Sequence, residues 1–192
     1  MQFAESISKE EMNELPLKAF EGDIYLVENE SDVLKAVSFL REFDIIGFDT
    51  ETRPSFKKGR INKVALLQLS SCNRAYLFRL NGNGLNTAIA DLLADNKIVK
   101  VGVAVRDDLI ALKRLKKFEP QSFVDLQPYV KKLGIQNFSL QKLAAIVLGF
   151  RISKSKRLSN WEAESLGIGQ QKYAATDAWV SLKIYKKLLA SI

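Results

Sequence analysis

The sequence predicts one α/β domain: a mixed β-sheet, antiparallel among its first three strands, with helices on both faces. Short β-branched and aromatic runs alternate with stretches of helical spacing. A four-residue turn, Ser71-Cys72-Asn73-Arg74, joins two of the runs as a hairpin, which makes the start of the sheet antiparallel. After it the chain alternates helix, strand, helix, strand and closes on helices, the pattern that places helices on both faces. The chain has 192 residues, enough for one sizeable core, and 47% of them are hydrophobic.

Residues 1–23 are polar and punctuated by Pro16 and Gly22, and read as a loosely ordered lead-in; residues 24–192 form the domain. Ile24-Tyr25-Leu26-Val27 is a short strand. Asn29, Ser31 and Asp32 offer a cap for a helix with Val33, Leu34, Val37, Leu40 and Phe43 along its apolar stripe. Asp44 to Glu51 is the central buried strand, and Thr52 to Asn62 a charged loop broken by Pro54 and Gly59. Lys63–Leu69 and Ala75–Leu80 are the second and third strands, counted from the central one. Thr87–Ala94 is a helix, Ile98–Val105 the fourth strand, and a helix opening at Asp107 or Asp108 runs to Lys117. Phe123–Leu126 is the fifth strand. Ser139–Leu148 is a helix stopped by Gly149, Arg151–Asn160 a basic loop, and Gly169–Leu189 the closing helix.

Composition removes several classes of chemistry. The chain has no histidine, which excludes Ser-His triads, histidine bases and His-ligated zinc. The single cysteine, Cys72, permits no internal disulfide and fits a reducing cytoplasm. No apolar run approaches the roughly 20 residues of a membrane span, and the N-terminus lacks the pattern of a secretory signal. Lysine plus arginine exceed aspartate plus glutamate by 29 to 22, giving +7 and favouring a polyanionic partner.

Three acidic sites remain as candidates for chemistry. In Phe48-Asp49-Thr50-Glu51, strand alternation puts both carboxylates on one face, with Cα atoms roughly 6–7 Å apart. Two such groups at the end of a buried strand repel and are costly to desolvate, and a hard divalent cation removes both costs. In Arg106-Asp107-Asp108, Asp108 lies above Leu112 and Leu115 on the inward helix face, so it is the better ligand; Asp107 lies above Ala111 and Arg114 and suits a cap. In Tyr173-Ala174-Ala175-Thr176-Asp177, tyrosine and aspartate share one helix face, and the alanines let another backbone approach.

The ordered set Asp-x-Glu, Asp, Tyr-x-x-x-Asp resembles the DEDD superfamily of 3′→5′ exonucleases, in the branch with tyrosine before the last aspartate. The resemblance covers roughly residues 24 to 190. Lys63 to Leu69, Val101-Gly102-Val103, Ser139 to Ala144 and Leu158-Ser159-Asn160-Trp161-Glu162 extend it. Arg106-Asp107 departs from the glycine that relatives often carry before the second-motif aspartate. Within the branch the chain is most similar to the group of the Werner syndrome protein's exonuclease domain, with ribonuclease D next.

That resemblance implies a ribonuclease H-like fold and two ions, Mg²⁺ or Mn²⁺. Asp49, Glu51 and Asp177 are implied to hold one ion directly, with Asp49 bridging to the second and Asp108 acting through water. With a phenol pKa near 10, Tyr173 suits an orienter of the attacking water better than a base, and Glu51 can accept from the same water. Lys57, Lys58 and Arg60, with Arg151, Lys154, Lys156 and Arg157, are the candidate phosphate contacts. The expected activity is metal-dependent release of nucleoside 5′-monophosphates from DNA or RNA 3′ ends, without a membrane partner. A ribonuclease D-like trimming enzyme, or a nucleic-acid-binding module without catalysis, are the alternatives. The chain ends after the last helix, so neither trailing helical domains nor a helicase is expected.

Overall fold

A computed structural model describes residues 3–55, 59, 62–82 and 84–191. Six strands form one sheet in the order β1 (Asp23–Val27), β4 (Arg74–Arg79), β3 (Val64–Ser70), β2 (Ile45–Thr52), β5 (Val99–Gly102), β6 (Phe123–Asp125). β2, β3 and β4 are antiparallel neighbours, β3 and β4 joined by the expected hairpin turn, while β5 and β6 continue parallel to β2. β1 adds to the far edge, parallel to β4. β3 is buried from end to end because it has a strand on each side and helices on both faces.

On one face α2 (Glu30–Leu40), α3 (Thr87–Ala94) and α4 (Val105–Leu115) pack their apolar stripes, among them Val33, Val37, Leu92 and Leu112, against Phe48, Leu67 and Leu69. Asn29 caps α2 through Asp32 N–H, and Asn86 caps α3 through Ala88 N–H. On the other face lies α7 (Ile168–Leu189), with α5 (Leu126–Lys131) and α6 (Leu140–Leu143) beside it. The helix expected over Ser139–Leu148 keeps its Ser139 cap and its left-handed Gly149 stop, but its second half, Ala144–Leu148, widens to a π-helical turn.

The lead-in differs from its expectation. Lys9–Glu14 form α1, closed by a capping box between Ser8 and Glu11. Leu17 bridges to Arg151, and Phe20 is buried, its N–H donating to Thr176 Oγ1 of α7 at 2.9 Å. Its anchors lie 130 and more residues away, so composition alone gave no sign of them. The fourth strand stops at Gly102 instead of reaching Val105, because Ala104 turns left-handed (φ 57°) and α4 begins immediately after it. Gly102 must lack a side chain there: a Cβ would lie 2.7 Å from Val105 Cγ1 and 2.8 Å from the Phe48 carbonyl oxygen.

Candidate active site

Alternation along β2 aims Asp49 and Glu51 at the α7 face, and α7 brings Asp177 over them. The approach is close because small residues meet: Ala174, Ala175 and Ala178 are fully buried. At Gly47 a Cβ would lie 1.9 Å from the Ala178 carbonyl oxygen. Asp49, Glu51 and Asp177 each present a carboxylate oxygen within 4.8 Å of the others. Among the described residues no lysine or arginine pairs with the trio. Asp177 Oδ1 is buried without a hydrogen-bond partner among them.

Asp108, on α4 at the other face of β2, stands outside this trio, and its charge acts on Asp49. It is half-buried and its Oδ1 accepts from the Thr50 hydroxyl, whereas Asp107 is exposed. Asp107 does not cap the helix: α4 starts at Val105, so Asp107 is already inside the first turn. The cap position is Ala104, whose N–H donates to Asp125 Oδ1 at 3.0 Å, and Asp125 also receives Gln127 N–H at 3.0 Å. Asp125 thus ties the turn before α4 to the start of α5. Its cap-type position at the end of a strand was a readable signal that the sequence reasoning passed over.

Burial and mutual repulsion govern the charges. Burial, then the Asp177 and Asp108 carboxylates, hold the Asp49 carboxyl well above its ordinary range. Glu51 is pushed up to about 10 by burial and then by Asp49. Burial raises Asp177 to about 7 against the opposing hydrogen bond from Tyr173, and raises Asp108 to about 6 against that from Thr50. The Tyr173 phenol is raised by burial and then by Asp177, so it stays protonated and donates to that carboxylate. Tyr173 also packs against fully buried Trp161, ring centroids 6.0 Å apart, which makes Trp161 a packing residue.

An all-oxygen, repelling, partly orphaned trio fits a hard divalent cation. Asp49, Glu51 and Asp177 are the residues that would hold it.

The basic residues divide. Lys57, Lys58 and Arg60 lie outside the described residues. Lys154, Lys156 and Arg157 are exposed. Arg151, expected among the phosphate contacts, also anchors the lead-in: its Nε donates to the Leu15 carbonyl at 3.0 Å and its backbone pairs with Pro16 and Lys18. That placement brings Lys18 to a cavity of about 160 Å³ beside Tyr173, shared with Ser153, Ser155 and Lys172.

A mixed six-stranded sheet with this acidic trio at its central strand defines a ribonuclease H-like protein with a carboxylate site. Solved structures share the fold. The exonuclease domain of Aedes aegypti Nibbler superposes with a TM-score of 0.81 at 23% identity, over 90% of this chain and 91% of that one. Escherichia coli RNase D, an exoribonuclease involved in structured RNA processing, gives 0.78 at 23% identity over 88% and 44%. The chain belongs to the 3′-5′ exonuclease family, whose model matches residues 24–192. It is 35% identical over 184 residues to the mouse bifunctional 3′-5′ exonuclease/ATP-dependent helicase WRN, covering 91% of this chain and 13% of that protein. Mouse exonuclease 3′-5′ domain-containing protein 2 is 31% identical over 90% of this chain, which spans 29% of its length.

Proposed function

We propose that this chain is a metal-dependent 3′→5′ exonuclease of the tyrosine branch, using two Mg²⁺ or Mn²⁺ ions to release nucleoside 5′-monophosphates from nucleic-acid 3′ ends. The observation that carries the reading is the carboxylate trio Asp49, Glu51 and Asp177, gathered within 4.8 Å with no cationic side chain among the described residues to neutralise it. Bound there, a divalent pair supplies a hydroxide nucleophile at neutral pH and stabilises the leaving oxygen. The protein's part is placement. Asp49, Glu51 and Asp177 hold the ions, with Asp108 beside them, fixed by Thr50. Tyr173, a protonated donor at neutral pH, orients the attacking water through its hydroxyl, and Glu51 accepts from the same water. Lys154, Lys156 and Arg157, together with Lys57, Lys58 and Arg60, contact phosphates and set affinity without reading sequence. Lys18 and Lys172 line the cavity beside Tyr173 and add positive charge next to the site.

Matched DNA and RNA duplexes with recessed 3′ ends, compared in Mn²⁺ and in excess chelator, test the reading. Stepwise shortening from the 3′ end in Mn²⁺, absent in chelator, is expected. Undiminished cleavage in chelator contradicts it, and the ratio of the two rates assigns the substrate. Binding of both duplexes with no shortening in either ion would make the chain a nucleic-acid-binding module.

A further inference from the structure

Gln68 is out of character with its strand. β3 is apolar from Val64 to Leu69 except at this position. The side chain is fully buried, yet neither Nε2 nor Oε1 has a hydrogen-bond partner among the described residues. A leucine like its neighbours would fill the site without that cost, since a buried amide left unpaired loses its hydration for nothing. Gln68 stands directly opposite Asp49 in the antiparallel β2–β3 pair. Side chains so placed share a face with Cβ atoms about 4.5–5.5 Å apart, within the reach of a glutamine amide. α7 closes over this face, on which Asp177 Oδ1 and Ser70 Oγ are also buried without a hydrogen-bond partner among the described residues. An unpaired donor therefore lies beside a carboxylate trio that gathers a cation.

We propose that Gln68 is a positioning residue of the metal site, its Nε2 donating to the Asp49 carboxylate in the metal-loaded protein and so fixing that ligand's orientation. The inference rests on the metal-site reading above. It matches the general need of ligating carboxylates for an outer hydrogen-bond partner, whose loss typically costs 10–100-fold in metal affinity or activity.

The test is Gln68→Leu, with Gln68→Met as the second variant should leucine disturb the strand. Each is melted without metal and titrated calorimetrically with Mn²⁺ at one pH, then assayed across Mn²⁺ concentrations. The expected variant melts at or above wild type, binds Mn²⁺ about 10–100-fold more weakly, and recovers activity as Mn²⁺ is raised. Wild-type Mn²⁺ affinity in a folded variant overturns the proposal. So does an affinity loss that in both variants comes only with a lowered melting temperature, because the amide is then structural. A wild-type protein that itself fails to bind Mn²⁺ overturns the metal-site reading and this inference with it.

Discussion

Tyr173 shows how single residues at this site do more than one thing. It is buried against Trp161 and keeps its proton because burial and Asp177 disfavour the phenolate. One helical turn separates it from Asp177, so its hydroxyl reaches that carboxylate, and under the proposed function it also orients the attacking water. Replacing Tyr173 with phenylalanine should lower kcat roughly 10²–10³-fold, the cost of losing one positioning hydrogen bond, while KM and Mn²⁺ affinity change little. Steady-state kinetics and a metal titration check this. Wild-type kcat would reduce the residue to packing, and lost metal binding would assign it to holding Asp177. The acids and this tyrosine were legible in the sequence because β2 and α7 impose fixed periods, which place their side chains before any coordinates are known. Ala104 and Arg151 were not. Alanine carries no signal for a left-handed cap, and the arginine's partners lie 136 residues away in sequence.

At the scale of elements, the site depends on one contact, α7 lying flat against β2. Gly47 and the alanines of α7 make it possible. Gly47→Ala would put a methyl 1.9 Å from the Ala178 carbonyl oxygen and 2.6 Å from Ser70 Oγ. α7 must then lift, and Asp177, the residue before Ala178, moves away from Asp49. We expect a loss of about 1–3 kcal/mol in stability, typical of overpacking, and a fall in kcat larger than the fraction unfolded explains. Thermal melts beside activity assays measure both, and a variant with wild-type melting and kcat would show that the contact is not needed. Strands β2 to β5 and helices α2, α3 and α7 were readable from apolar runs and periodicity. α5 was missed because it is six residues long and carries Pro128 in its first turn, where proline is tolerated. β1's place at the edge beside β4 could not be read either, since pairing partners follow from topology and not from local pattern.

Across the whole molecule, the crowded, buried carboxylates are expected to lower the stability of the metal-free protein at neutral pH. The carboxyls of Asp108 and Asp177 have folded values of about 6 and about 7, above their ordinary value near 3.8. The folded state therefore holds these protons more tightly than the unfolded chain, and the stability so gained is complete below pH 4 and lost as pH rises through 6 and 7. Fully buried Lys100, pushed down to about 8 by burial, works in the other window, above pH 8. Metal-free wild type should melt progressively lower from pH 5 to pH 8, and Asp177→Asn should flatten that decline; an identical decline in the variant contradicts the assignment. Mn²⁺ should restore the lost stability at pH 8 by binding only the folded site. The most direct measurement of the central claim uses a 5′-labelled recessed duplex with wild type and Asp177→Asn, each in Mn²⁺, alongside their melting curves. The account predicts a ladder shortening from the 3′ end with wild type, none with the variant, and a variant that melts at or above wild type without metal. A variant that still produces the ladder, or that loses it only by unfolding, would contradict the claim that these carboxylates carry the reaction.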